Sequence, residues 1–381
     1  MVNMKKDTQC VHSGSYRDGE TRGVNTPIFT SSAYDYLDRD DTPYPRYFNT
    51  PNQDAVVKKV CALEGAEDGV VFSSGMAAMS TAVLAFAGSG DHIVLMDELY
   101  GGTHAFATDQ FQRLGIGYSF ASTDAESLCA AVTERTRVIV IESPTNPLLS
   151  VIDIRKVAAF ARERGITTII DNTFASPMNQ NPIELGIDIV VHSGTKYLGG
   201  HSDMCSGLVV TSREKMVRVR TLARHLGGSL DAISCYLLER SLKTLALRVG
   251  RQSENALRIA QFLKGHQGIS RVYYPGLTDS PGYAIAKSQM KAFGGMVSFE
   301  LDGQPDTTKF VRRLRLISPA VSLGGVESTI CAPAVTSHLK MSAAERKRIG
   351  VTDSLLRLSV GIEDAGDLIL DLEHALGTVQ T

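Results

Sequence analysis

The run His192-Ser-Gly-Thr-Lys-Tyr-Leu-Gly-Gly-His-Ser-Asp203 directly follows a predicted β-strand. It sets two hydroxyls, Ser193 and Thr195, on either side of Lys196 at the carboxyl end of a sheet, where open α/β sheets take their ligands. Hydroxyls so spaced can hold a phosphate while the amine reaches an aldehyde. That is how a protein supplies the Schiff-base lysine for pyridoxal 5'-phosphate (PLP). A surface lysine in a polar loop is the competing reading. A P-loop is excluded, because the pattern GxxxxGK[ST] is absent.

Three other strand ends carry groups suited to the same cofactor. Asp171, in Asp171-Asn172-Thr173, stands where a carboxylate would keep a pyridinium nitrogen protonated and the ring an electron sink; an N-cap for the following turn is the alternative. Phe72-Ser-Ser-Gly-Met-Ala-Ala78 is a small-residue turn entering an apolar helix. Its N–H groups and helix dipole suit an anion, although an ordinary strand-to-helix turn has the same sequence. Tyr100, in Leu99-Tyr-Gly-Gly-Thr103, could stack on a ring or simply be half-buried.

These groups need a scaffold that brings strand ends together. Runs rich in Val and Ile recur at Val70–Ser74, His92–Asp97, Gly117–Ser122, Arg137–Ser143, Thr167–Asn172, Ile187–Ser193 and Cys205–Val210, and read as buried strands. Helical segments lie between several of them. In Asp153–Arg164, Ile154, Val157, Ala158 and Ala161 form an apolar stripe ended by Gly165. The alternation predicts an α/β fold with a mostly parallel sheet of about seven strands. Residues 1–50 lack this rhythm and form an expected N-terminal arm that contacts a neighbouring subunit. A helical stretch from Ser229 through Leu263, strands Val272–Tyr274 and Gly295–Leu301, a helix at Lys309–Leu316 and a final helix Asp364–Leu376 have α+β character. The expected division is therefore a large cofactor-binding domain over 51–250 and a small C-terminal domain over 251–381.

Composition narrows the class of ligand. The chain has 381 residues, and its 39 basic and 41 acidic side chains leave a net charge of −2. That gives no electrostatic footprint for nucleic acid or an anionic membrane, so a small-molecule substrate is expected. Six scattered cysteines without CxxC pairs are read as reduced, buried thiols, with no metal site. No leader or apolar stretch of membrane-spanning length is evident, and a cytoplasmic location is expected.

In order along the chain, FSSGMAA at 72–78, LYGGT at 99–103, ESPTNP at 142–147, DNTFASP at 171–177, HSGTKYLGGHSD at 192–203, SLKTL at 241–245, SLGGVES at 322–328 and LLRLSVGIED at 355–364 resemble the Cys/Met-metabolism family of PLP enzymes. This is the trans-sulfuration group of cystathionine γ-synthase and the cystathionine γ- and β-lyases. The resemblance implies the type I, aspartate-aminotransferase-like fold and a homotetramer of catalytic dimers. It implies phosphate contacts from Gly75, Met76, Ser193 and Thr195, with Tyr44 and Arg46 entering from the partner subunit. Asp171, with Thr173 beside it, would hold the ring nitrogen, and Tyr100 would stack on the ring and assist proton transfer. Lys196 would be the Schiff-base residue and general base, and Arg357, Ser322 and Asn146 would take the substrate carboxylate.

The activity implied is making or breaking a C–S bond at the β or γ carbon of a sulfur amino acid, with methionine γ-lyase or O-acylhomoserine sulfhydrylase as the alternative. Ala105 stands where cystathionine γ-synthases and γ-lyases often place an arginine, and Gly102 where methionine γ-lyases usually carry a cysteine, whereas Glu327 leans toward the cystathionine enzymes. A PLP aminotransferase and a non-catalytic binding protein are the rivals from other classes.

Overall fold

The computed structural model describes residues 4–38, 40–303, 306–336, 339, 346 and 349–377. Seven strands build the first sheet: β1 (Asp68–Phe72), β2 (His92–Met96), β3 (Gly117–Ala121), β4 (Thr136–Glu142), β5 (Thr167–Asp171), β6 (Ile189–Ser193) and β7 (Gly207–Thr211), in the order β1-β7-β6-β5-β4-β2-β3. The central runs Val138–Ile141, Thr168–Ile170 and Ile189–His192 are buried throughout. Continuous apolar strands of this kind need helices on both faces. One such helix, Ile154–Glu163, buries Ile154, Val157, Ala158 and Ala161 as the stripe requires, and Asp153 caps it by accepting the Lys156 N–H.

Strands β2 to β6 pair in parallel, whereas β7 is antiparallel to both β6 and β1. Two reversals make β1 parallel to β6. The carboxyl ends of β1, β2, β4, β5 and β6 therefore face one edge, and every strand-end group singled out above arrives there. All seven expected strands are present, with ends displaced by about two residues at most. The last begins at Gly207, which leaves Cys205 outside the sheet.

A second sheet has the order β10-β11-β12-β9-β8, from β8 (Ile269–Tyr273), β9 (Met296–Leu301), β10 (Ser318–Pro319), β11 (Thr329–Cys331) and β12 (Leu355–Ser359). Helices Leu245–Gly265 and Ala365–Gly377 pack with it around Phe299, Phe310, Leu356, Leu358 and Leu372. The helix Leu245–Gly265 joins the two cores: Leu245 and Val249 lie in the first, Ala256, Ile259 and Leu263 in the second.

Three expectations are corrected. The helical stretch after Ser229 is two helices, Ala232–Leu242 and Leu245–Gly265. The Ser241 carbonyl, which an unbroken helix would give to residue 245, instead accepts from the Thr244 N–H, the Thr244 hydroxyl and Arg248 Nη2. The arm contains a helix, Lys6–His12, whose Cys10 is buried. The cysteines are free but not uniformly buried, since Cys205 is exposed and Cys129 half-buried. Among the described residues no helix is long and apolar enough to cross a membrane, and no His/Cys/Asp/Glu group could hold a metal.

Candidate active site

The loop after β6 is held from behind by Arg248. This guanidinium is 4% exposed and donates to the carbonyls of Tyr197, Leu198 and Ser241. Gly200, at φ 68°, lies so close that a Cβ there would sit 1.9 Å from Arg248 Nη1, so only glycine fits. With its backbone fixed, Lys196 sends its Nζ to Ser322 Oγ at 2.6 Å. Burial and then the positive charge of Arg357 hold the Lys196 amine below its ordinary range, with Cys205 and Asp171 opposing. The shift favours the neutral amine, the form that can attack a carbonyl or take a proton.

Arg357 comes from the middle of β12 and is 5% exposed. Its Nη1 donates to Asn146 Oδ1 at 2.7 Å and its Nη2 reaches the Ser322 carbonyl at 3.4 Å. Its Nε is buried without a hydrogen-bond partner, and among the described residues no carboxylate pairs with it. A buried guanidinium in that condition calls for an anion. Ser322 is held at φ 78°, a left-handed conformation uncommon for a non-glycine residue, and presents its hydroxyl to Lys196 and its carbonyl to Arg357.

Asp171 closes β5. Burial raises its carboxyl, while the Thr173 hydroxyl and the Thr173 N–H, at 3.0 Å, act to lower it, as do the charges of His192 and Lys196. Thr173 Oγ1 in turn accepts the Ser193 N–H at 2.8 Å, tying the ends of β5 and β6 together. Glu142, closing β4, is the register neighbour of Asp171 and accepts the Tyr100 N–H at 2.8 Å. Tyr100 itself is 44% exposed. Its ring lies over Gly102, where a Cβ would stand 2.4 Å from the ring and 3.1 Å from Met76 Sδ.

The helix Gly75–Leu84 begins behind Ser74, whose side chain accepts the Ala77 N–H. The N–H groups of Gly75 and Met76 lie ahead of the first intrahelical bonds and point out of its start. A Cβ at Gly75 would meet Ser193 Oγ at 2.9 Å, so this N-terminus and that hydroxyl share one small space. The Thr195 hydroxyl donates to the Ser206 carbonyl at 3.2 Å and accepts the Ser206 N–H at 3.1 Å, so a phosphate there would compete with that carbonyl. Tyr44 and Arg46 stand apart from this cluster. Arg46 donates to the Arg224 carbonyl at 2.8 Å and lies over the exposed rings of Tyr44 and Tyr47.

One edge thus holds a depressed amine, a buried carboxylate, a helix N-terminus with a hydroxyl beside it and a guanidinium lacking an acid. The chain matches the family model described as Cys/Met metabolism PLP-dependent enzyme over residues 7–377. It belongs to that family. Cystathionine γ-lyase of Bacillus subtilis strain 168 is 43% identical over 380 residues, covering 99% of this chain and 100% of that one. Cystathionine β-lyase of Lactococcus lactis subsp. cremoris strain MG1363 is 43% identical over 374 residues, covering 97% and 98%. Among solved structures, cystathionine γ-synthase from Xanthomonas oryzae pv. oryzae, in complex with aminoacrylate and cysteine, superposes with a TM-score of 0.96 at 37% identity, covering 100% of this chain and 99% of that one.

The fold is the type I, PLP-dependent transferase fold, and the chain is a PLP-dependent enzyme of cysteine and methionine metabolism. The residues present fit PLP: the free N–H groups at the start of the Gly75–Leu84 helix, with the Ser193 hydroxyl packed beside them, suit a phosphate, and the orphaned Arg357 Nε suits the acid of an amino-acid substrate. Sequence reasoning passed over Glu142. Its signal was available, because Glu142 ends an apolar strand just as Asp171 does.

Proposed function

We propose that this enzyme makes or breaks the carbon–sulfur bond of cystathionine, as a cystathionine γ- or β-lyase or as the γ-synthase that forms it. The observation that carries the reading is the buried, acid-free guanidinium of Arg357 beside the Lys196 amine. Its planar fork takes an α-carboxylate through two parallel bonds, and Asn146 and Ser322 fix the fork's orientation. Glu327, exposed on the same loop as Ser322, offers a carboxylate to the ammonium at the far end of a molecule that carries two amino-acid termini. That second terminus separates cystathionine from methionine and favours the cystathionine reading over methionine γ-lyase or O-acylhomoserine sulfhydrylase.

In this reading the N–H groups of Gly75 and Met76, with Ser193 and Thr195, would hold the phosphate of PLP, and a neighbouring subunit would contribute Tyr44 and Arg46. Asp171, braced by Thr173, would keep the ring nitrogen protonated, and Tyr100 would stack on the ring. When bound, PLP supplies the electron sink for negative charge on the substrate α-carbon. The chain's own residues do the rest. Arg357 and Asn146 orient the α-carboxylate and so decide which α-bond is weakened. Lys196, whose amine burial and Arg357 keep toward neutrality, takes the α-proton and returns it. Ser322 Oγ holds that amine between transfers.

The assembly is a homotetramer in which residues 1–50 reach across, and the large and small units divide within the helix Leu245–Gly265. The six free cysteines support a cytoplasmic location. Chromatography of products from purified holoenzyme tests the proposal. With water, γ-cleavage of cystathionine gives cysteine, 2-oxobutyrate and ammonia, and β-cleavage gives homocysteine, pyruvate and ammonia, whereas an O-acylhomoserine with cysteine gives cystathionine and the released carboxylic acid. Failure of all three, with thiol released from methionine, would overturn it.

A further inference from the structure

Strand β4 ends in a carboxyl group that the chemistry above does not use. Glu142 is 3% exposed and lies beside Asp171 in register, and among the described residues no cation pairs with it. Burying such a group costs several kcal/mol unless its oxygens are bonded. One of them is bonded to a backbone donor of another loop: Oε2 accepts the Tyr100 N–H at 2.8 Å, while the Asn146 N–H, four residues further along the chain from β4, also favours charge on the carboxyl. Both are places where the chain presents a ligand-facing side chain: the ring of Tyr100, and the amide of Asn146 that accepts from Arg357. Glu98 braces the second loop from its other side, accepting the hydroxyls of Thr145 and Ser150 at 2.8 Å each.

We propose that Glu142 is a positioning residue whose carboxyl joins the loop of Tyr100 to the loop of Asn146, so that the cofactor face and the carboxylate grip are set as one unit. The inference rests on the reading of Tyr100 and Asn146 given above. Its role is to act through the backbone, by its bond to the Tyr100 N–H and by its place on the segment that leads from β4 into Asn146. Its electrostatics are consistent with a structural acceptor. Burial first, and then the charge of Asp171, push its carboxyl well above the usual range, which favours its neutral form, while the Thr173 hydroxyl and N–H act to hold Asp171 down. Glutamine, neutral and with a carbonyl oxygen in the same place, is then the conservative replacement.

The test uses holoenzyme and two readouts that separate the two loops: the absorption spectrum and dissociation constant of bound PLP for Tyr100, and KM for cystathionine for Asn146. Tyr100→Ala and Asn146→Ala are the controls, each expected to move mainly its own readout. Glu142→Ala is expected to weaken PLP and raise KM together, by about tenfold each, the worth of one buried hydrogen bond. Glu142→Gln is expected to restore most of both. Should the alanine variant not fold, Glu142→Asp, which withdraws the carboxyl by one methylene, is expected to give the same paired shift. A truncation that moves only one readout, or neither, while both controls behave as stated, overturns the inference and leaves the site reading intact. Controls that move nothing overturn the site reading itself.

Discussion

Replacing Arg357 with Met removes the guanidinium while keeping a long side chain in the β12 position. Its Nη1 is already committed to Asn146 Oδ1, its Nη2 makes only a 3.4 Å contact with the Ser322 carbonyl, and its Nε has no partner. In the proposed role the Nε and Nη2 edge is the one left to meet a substrate carboxylate, with two charge-assisted bonds of about 1.5–3 kcal/mol each. Their loss of about 3–6 kcal/mol is a fall of roughly 10²–10⁴ in kcat/KM. Arg357→Lys keeps the charge and one of the two bonds, for a fall of roughly 10–100-fold. The decisive assay compares kcat/KM for cystathionine with that for an analogue lacking the α-carboxylate at the reacting end. Wild type is expected to discriminate strongly and Arg357→Met hardly at all. A methionine variant that discriminates as wild type does would refute the assignment. Removing the arginine also removes the second-ranked cause of the depressed Lys196 amine, so in the variant free of PLP the pH midpoint for acylation of Lys196 is expected to rise.

Gly102→Ala places a Cβ 2.4 Å from the Tyr100 ring, so the ring must turn away; PLP affinity measured by dialysis is expected to fall about tenfold. Arg248→Met strips the carbonyls of Tyr197, Leu198 and Ser241 of their donor, with an expected loss of about 3 kcal/mol in urea unfolding that Arg248→Lys restores only in part. Lys59 is fully buried, bonded to the carbonyls of Cys10 and Val11, and burial lowers it to about 8 from the ordinary 10.5. Between those pH values the unfolded chain holds a proton that the folded chain has released. Stability from this group therefore rises with pH from about 8 to 10.5, and its unfavourable contribution is fully present below 8. The unfolding free energy of wild type relative to Lys59→Met is thus expected to increase across that window by about 3 kcal/mol, and a flat difference would refute the shift.

The large sheet was legible because its strands are continuous apolar runs, such as Val138–Ile141, which no exposed element could carry. That Lys196, Asp171 and Tyr100 would meet at one edge followed from parallel pairing, whereas the 72–78 turn joins them because β7 runs antiparallel to both β6 and β1. The small sheet was less legible. β10 and β11 are two and three residues long, too short to show a period, and β12 was visible only as an apolar run containing an arginine. The break between Leu242 and Leu245 escaped because it is imposed by Arg248, whose side chain competes for a helix carbonyl from outside the local pattern. Glu142 was passed over although it ends an apolar strand as Asp171 does, because the group its carboxyl meets, the Tyr100 N–H, carries no residue signature.

The two buried guanidiniums show how a ligand-facing charge differs from an architectural one. Arg248 and Arg357 are almost equally buried, and among the described residues neither pairs with a carboxylate. Arg248 satisfies its donors on the Thr244 hydroxyl and three carbonyls of its own chain, and burial lowers it to about 10, an equilibrium that needs nothing further. Arg357 makes one strong bond and one long one, and leaves Nε unused. A folded protein does not ordinarily leave a buried charged donor unspent, because each such donor costs about 1–3 kcal/mol. In the role proposed for Arg357, the substrate carboxylate would supply the acceptor that its Nε lacks. Burial alone would have placed the two arginines together; the count of satisfied donors separates the one that holds the Lys196 loop from the one proposed to receive the substrate.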